Sequence, residues 1–267
     1  MTRRDLLAYG ELPAREILIL LAHALDLDQV AIYTELDAEV PAAALRRVRS
    51  QIRKRQTGWP LQYLTGTAWF WSLPLAVGPG VLVPRPETET LVEAACARAP
   101  LGGRLADIGT GSGAILAAVA VERPDLKLVG VERSKLALRY ARQNLAGYAE
   151  VLQGDLCAPL ADRQDVIVAN PPYVRSDEYA DLPADVRREP RMAHVSGADG
   201  LRAIRRLVRQ APDHLAPGGW LLLEVGAGQS GDVAGLLARR GFQDMVCQED
   251  LAGIERVVGG RWTCVRN

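Results

Sequence analysis

The sequence predicts an α/β fold: a parallel, doubly wound sheet preceded by a small helical bundle and an extended linker. Three observations carry this. From residue 88 onward, short apolar runs alternate with helix-period segments, the signature of strand–helix–strand crossovers. A glycine-rich turn, Gly109-Thr110-Gly111-Ser112-Gly113, stands between the first of those strands and its helix. Ahead of residue 57 the periodicity is purely helical.

The elements follow in chain order. Ile17, Leu18, Leu20, Leu21, Ala24 and Leu25 form an apolar stripe at i, i+3, i+4 and i+7 spacing, and Pro13 suits a first helical turn. A second helix is expected from residue 41 or 42 to 55. Residues 58–83 are rich in Trp, Gly and Pro and read as extended, with 69–75 as one arm of a hairpin, and most of the aromatics in this stretch are expected to serve as core. Helices are expected at 89–98, 113–122, 135–145, 201–215 and 231–240. Strands are expected at 104–108, 126–132, 149–153, 165–169, 219–225, 242–248 and 255–265. The chain therefore divides into a helical domain over 1–57, a linker over 58–83 and an α/β domain over 84–267.

Composition narrows the function classes. The 267 residues carry 32 basic and 32 acidic side chains, so no global field favours a nucleic acid. Arg46, Arg47, Arg49, Arg53, Lys54 and Arg55 make one basic segment, which at helical spacing reads as a solvated face. Cys96, Cys157, Cys247 and Cys264 are scattered without metal-type spacing and read as reduced thiols, and His23, His194 and His214 are equally dispersed. No signal peptide or bilayer-length apolar run is present, so a cytoplasmic protein is expected.

The chemistry lies at strand ends. Gly109 and Gly111 permit a tight turn and close backbone approach to a ligand, and Gly113 lets the helix pack closely. The spacing is Gly-x-Gly-x-Gly, which differs from the Gly-x-Gly-x-x-Gly that aims a helix at a pyrophosphate. Glu132 closes the next strand, about 25 residues after Asp107, placed to accept from ribose hydroxyls. Asp155 and Leu156 end the third strand, where one can accept from an exocyclic amine and the other pack on a purine. The bland alternative is an ordinary α/β turn with Glu132 and Asp155 as helix caps. Asn170-Pro171-Pro172-Tyr173 follows the apolar run 165–169. Two prolines can neither continue a ladder nor start a helix there, so the chain is held open at the carboxyl end of a strand. Asn170 offers an acceptor and a donor, the Asn170 and Pro171 carbonyls lack ladder partners, and Tyr173 supplies a flat face. The set suits a planar NH2 group; the alternative is a plain strand-ending turn.

Together these residues resemble the class I S-adenosylmethionine-dependent methyltransferases, whose motifs occur in the same order: Asp107-x-Gly109-x-Gly111-x-Gly113, Glu132, Asp155, then Asn-Pro-Pro-Tyr. Further stretches are similar to the protein-(glutamine-N5) methyltransferases that act on peptide chain release factors (the PrmC/HemK family). These are Pro60-Leu61-Gln62-Tyr63-Leu64-Thr65-Gly66, Phe70-Trp71-Ser72-Leu73, Val83-Pro84-Arg85-Pro86-Glu87-Thr88-Glu89, Asp185-Val186-Arg187-Arg188-Glu189-Pro190, Leu223-Glu224-Val225-Gly226 with Gln229, and residues 250–256. The match runs from residue 60 onward. One departure is Leu156, where family members often carry an aromatic. The resemblance implies a Rossmann-like sheet with one antiparallel strand near the C-terminus. It implies S-adenosyl-L-methionine held by Asp107, Gly109, Thr110, Gly111, Ser112, Gly113, Glu132, Asp155, Leu156 and Asn170. It also implies a glutamine carboxamide held by Asn170, Pro171, Pro172 and Tyr173, with Pro84, Arg85 and Pro86 as a further wall. The expected partner is a release factor and the expected state a monomer, with no metal, membrane or nucleic-acid substrate. Ribosomal-protein glutamine methyltransferases and DNA or RNA amino-methyltransferases are the neighbouring alternatives. An NAD-dependent oxidoreductase lacks its glycine spacing, and an inert adenosine-binding module would not need Asn170 with paired prolines.

Overall fold

Two compact units divide the chain in a computed structural model that describes residues 1–263. One unit gathers Met1–Thr67 with Pro183–Arg188, the other Ala68–Leu182 with Glu189–Asn267.

The first unit is helical: α1 (Arg3–Leu7), α2 (Ala14–Leu25), α3 (Gln29–Thr34), α4 (Ala42–Gln56) and α5 (Leu61–Thr65). The stripe on α2 is buried as expected, and Ile17, Leu20 and Leu21 pack with Leu6, Ile32, Val48 and Ile52 in one core. Short helices need local start signals. Thr2 and Asp5 form a reciprocal capping box at α1, and the Asp28 side chain accepts from Ala31 N–H at α3. Helices α1, α3 and α5 are too short to display a period, which is why periodicity missed them. Helix α5 falls within the residues read as extended, and Gly66 at φ +76° ends it. On α4, Arg46, Arg47, Arg49, Arg53 and Lys54 are exposed, whereas Arg55 is tied to Glu16 at 2.8 and 3.0 Å and to Asp185 at 3.4 Å.

The second unit begins with a two-stranded ribbon, β1 (Thr67–Phe70) and β2 (Leu73–Ala76). Trp71 and Ser72 between them have φ of 52° and 59°, the paired positive values of a tight hairpin turn. Ala68 and Phe70 point inward, and Trp69 is exposed, an exception among aromatics most of which are expected in the core. The elements that follow are α6 (Glu89–Arg98), β3 (Arg104–Ile108), α7 (Ala114–Glu122), β4 (Lys127–Glu132), α8 (Lys135–Asn144), β5 (Glu150–Gln153) and β6 (Gln164–Ala169). After them come α9 (Arg191–His194), α10 (Arg202–His214), β7 (Leu215–Glu224), α11 (Ser230–Arg240), β8 (Gln243–Glu249) and β9 (Glu255–Arg261). Strand β7 starts ahead of its apolar run because Leu215 pairs with Gln164 across a register shift. The expected strand 255–265 runs beyond the described residues, and Cys264 lies there too. Cys96, Cys157 and Cys247 are free thiols.

The sheet order is β5-β4-β3-β6-β7-β9-β8. Strands β5 to β7 pair in parallel, and β9 runs antiparallel to both its neighbours. Side chains alternate between two cores. Leu105, Val166, Val168 and Leu222 face one, where α6 and α7 pack; Ala106, Ile108, Ile167, Leu221 and Leu223 face the other, covered by α10 and α11. Helix α7 is apolar all round because it is buried nearly all round. Among the described residues no helix is long and apolar enough to cross a membrane.

The order reverses direction between β3 and β6, so a crevice opens at their carboxyl ends. Ile167 is fully buried on β6. Ile167→Ala should cost about 2–5 kcal/mol of unfolding free energy, read from the urea midpoint; a loss below 1 kcal/mol would show that this strand does not anchor the core.

Candidate active site

The crevice holds a cavity of about 630 Å3, within the range that encloses a nucleotide-sized ligand. Its floor is the turn after β3. The N–H groups of Gly109 and Thr110 donate to Val131 O at 2.8 and 3.0 Å, pinning the turn to β4. Gly109 has φ +78°, and a Cβ there would point into open space, the space a ligand would take. Gly113 has φ +85°, and a Cβ would lie 2.7 Å from Leu145 Cγ. Asn144 at the end of α8 donates to Ser112 O and to Ala76 O, both at 2.9 Å, tying the turn to β2.

Two acids stand behind this turn. Asp107 is completely buried on β3; its Oδ2 accepts from Thr110 Oγ1 at 2.6 Å and its Oδ1 has no partner. Burial pushes its carboxyl up to about 7, the Glu132 charge adds to the rise, and the Thr110 hydrogen bond opposes it. Glu132 closes β4 with Oε2 accepting from Gly111 N–H (2.9 Å) and Oε1 from Ser134 N–H (2.6 Å). Each oxygen keeps a second lone pair.

Past β5, Asp155 and Leu156 also line the cavity. Asp155 accepts from Arg206 of α10 at 2.5 Å, with Arg133 4.0 Å away, so one of its oxygens is already engaged. Leu156 sits at φ +53°, a region leucine rarely enters.

At the other end of the cavity stand Asn170, Pro171 and Pro172. The Asn170 and Pro171 carbonyls accept no hydrogen bond among the described residues. Asn170 Nδ2 donates to Thr88 Oγ1 at 3.1 Å. Tyr173 lies apart from this group. It lines a second cavity of about 710 Å3, its carbonyl accepts from Gln229 Nε2 at 3.0 Å, and Gln229 Oε1 accepts from Gly226 N–H at 3.0 Å. Burial, reinforced by the Glu224 charge, pushes the Tyr173 phenol up to about 12.

Pro84 and Arg85 line the main cavity, and Pro86 starts a short 3-10 turn (Pro86–Thr88) outside its lining. Asp107 and Gly113 also lie behind the lining. Arg85 is occupied by Glu189 at 2.7 Å. The Glu189 side chain is 1% exposed, and its other oxygen meets His194 Nε2 at 3.0 Å. This clasp holds residues 189–197, which supply Met192, Val195 and Ser196 to the wall. Thr88, within the stretch 84–89 expected as a further wall, also lines the cavity, whereas the wall from 189–197 and Glu224 carry no role legible in the sequence. The signal available for Glu224 was one acid ending an apolar strand, which is costly to bury without a role.

Relatives place these features in a family. Residues 3–66 match the PrmC N-terminal domain and residues 86–184 the methyltransferase small domain. The release factor glutamine methyltransferase of Geobacter sulfurreducens is 42% identical over 91% of this chain and 87% of its own. The chain belongs to the release factor glutamine methyltransferase family. The Neisseria gonorrhoeae member is 40% identical over 98% of both chains. A methyltransferase structure from Pyrococcus furiosus shares the fold, with a TM-score of 0.54 and 19% identity over 72% of this chain and 90% of that one. In this family member, then, a methyltransferase sheet carries the glycine turn and Asn170 on adjacent strands.

Asp107 gives a pH signature. Its folded pKa is raised, so between about pH 4 and 7 the folded chain keeps a proton that the unfolded chain releases. Stability should therefore fall as pH rises through that window, by on the order of 4 kcal/mol from this group, and then level off. Glu224, also pushed up to about 7 by burial, contributes in the same window. Asp107→Asn should remove roughly half of the decline. Urea midpoints at pH 5 and pH 8 measure it, and an unchanged decline would show that Asp107 is ionised throughout.

Proposed function

We propose that this chain transfers the methyl group of S-adenosyl-L-methionine to the side-chain amide nitrogen of the glutamine in the Gly-Gly-Gln motif of peptide chain release factors. One observation carries the reading beyond family membership: the open glycine turn and the Asn170–Pro171 segment, whose carbonyls have no backbone hydrogen bond, line one cavity from neighbouring strand ends.

The donor set fits S-adenosyl-L-methionine. Asp107 Oδ1 is a buried acceptor without a donor, suited to act on a cationic amino group through the turn. The spare lone pairs of Glu132 suit ribose hydroxyls, and the backbone at Gly109 leaves room for close approach. Leu156 offers an apolar surface and Asp155 an acceptor for an adenine amine. When bound, the sulfonium supplies an already activated methyl carbon.

The protein then has to position and polarise a poor nucleophile, because a carboxamide nitrogen shares its lone pair with its carbonyl. Asn170 Oδ1 and the Pro171 carbonyl accept the two N–H bonds of the glutamine amide. This holds the nitrogen in line with the methyl carbon and raises its electron density. Pro172 and Pro84 shape the walls around it. Tyr173 packs from behind, with its carbonyl gripped by Gln229, so it steadies the segment. The proton leaves to solvent after transfer.

A Gly-Gly-Gln loop is small, so the helical domain over residues 1–57 is assigned to recognition of the rest of the release factor. The linker and catalytic domain are placed at 58–83 and 84–267, and the protein works as a cytoplasmic monomer.

Labelled methyl donor offered with purified release factor, ribosomal protein and DNA should mark the release factor alone, at the glutamine identified by mass spectrometry. Label on either other acceptor in its place would overturn the reading. Asn170→Ala should cut turnover at least 100-fold while calorimetric donor affinity stays within about twofold; turnover at the wild-type rate would remove Asn170 from the chemistry. Glu132→Ala should weaken donor affinity about tenfold or more, and unchanged affinity would end its ribose role.

A further inference from the structure

A carboxamide has two ends of nearly equal size. Asn170 can serve as an acceptor only if its oxygen, and not its NH2, faces the cavity. The reverse orientation would set donor against donor. Something other than shape must choose between them.

The surroundings of the buried end make that choice. The parallel register places Ala169 beside Leu223, so Asn170 and Glu224 leave β6 and β7 side by side. Glu224 is 1% exposed and Thr88 is 4% exposed. Asn170 Nδ2 donates to Thr88 Oγ1 at 3.1 Å, and Thr88 and Asn170 both stand near enough to the Glu224 carboxyl to favour its charged form against burial. Glu224 Oε2 has no partner at all. Arg256 on β9, itself bound to Asp250 at 2.9 Å, faces the same carboxyl and favours its charge. A buried carboxylate with a free lone pair is an expensive way to fill a core. Once ionised, it presents acceptors alone toward a neighbour.

We infer that Glu224 and Thr88 are positioning residues that fix the Asn170 carboxamide with its NH2 inward and its oxygen toward the substrate. They act through Asn170: Glu224 lies outside the cavity lining, and Thr88 borders the cavity but is 4% exposed, with its hydroxyl taken by the Asn170 amide. The inference rests on the reading that Asn170 accepts from the glutamine amide.

The test inverts the hydrogen-bond pattern. Glutamine at 224 can offer either end, so Glu224→Gln should lower kcat about tenfold to a hundredfold, with donor affinity by calorimetry unchanged. Thr88→Val, which removes only the hydroxyl, should lower kcat in the same direction. Asn170→Asp places a second carboxylate against Glu224 and should lose at least 100-fold. Asn170→Asp combined with Glu224→Gln restores complementarity. The glutamine NH2 then donates to the inner oxygen of the aspartate and leaves the outer one free to accept. The pair should recover at least tenfold over Asn170→Asp alone, which a merely space-filling residue would not produce. Wild-type kcat in both Glu224→Gln and Thr88→Val, or no recovery in the pair, overturns the inference. If Glu224→Gln fails to fold, Thr88→Val alone decides it. Inactive Asn170→Ala together with fully active Glu224→Gln and Thr88→Val sinks this inference and leaves the methyl-transfer reading standing. Fully active Asn170→Ala sinks both.

Discussion

The parallel pairing of β3 with β6 sets the spacing on which everything else in the cavity depends. Leu105, Ala106 and Asp107 lie beside Val166, Ile167 and Val168, so the turn after β3 and the segment after β6 emerge as neighbours. Neither is near the other in sequence. The pairing also marks the point where strand order reverses, so no crossover helix covers the gap between the two ends. The cavity is thus a consequence of topology, and its contents are what the two strand ends carry.

The rest of the larger unit makes that pairing rigid. Apolar side chains from both faces of β3 and β6 are fully buried in separate cores, so a slip by one residue would exchange the cores. Against this background two acids, Asp107 and Glu224, are buried with one oxygen each unpartnered. Both carboxyls are pushed up to about 7, with burial as the main cause. Such groups weaken an empty fold and mark where an incoming donor or a neighbouring amide has something to meet. The stability of the sheet and the readiness of the site therefore pull in opposite directions, and the apolar strands carry the difference.

Much of this architecture was legible in the sequence. The strand–helix alternation, the glycine turn and the open segment at Asn170 are local patterns, and local patterns survive in a string of letters. The helices from α6 onward that exceed eight residues lie within a residue or two of the periodic segments. What was hidden depends on partners distant in the chain. Nothing near Arg85 announces Glu189, and nothing near Asp155 announces Arg206. The proximity of Thr88, Asn170 and Glu224 exists only once three separated stretches have met. Most aromatics in the linker are expected inward, and it takes the alternation of β1 to show that Trp69 is the one turned outward. Tyr173 was read with its three predecessors as one surface, yet the two prolines carry the chain past the cavity edge before the ring is placed. Helices α1, α3, α5 and α9 span six residues or fewer, less than a period needs to declare itself.

Leu156 illustrates how a loop can be kept to a single shape. Its backbone stands in the left-handed region, which costs an ordinary residue about 1–2 kcal/mol. Glycine would sit there without strain, and it would also be free to sit in many other places. Leucine has few conformations available, and an apolar side chain that must find cover on the cavity wall. The narrowness of its own conformational map, together with its need for packing, makes the end of β5 a stiff edge where a more permissive residue would have made a hinge.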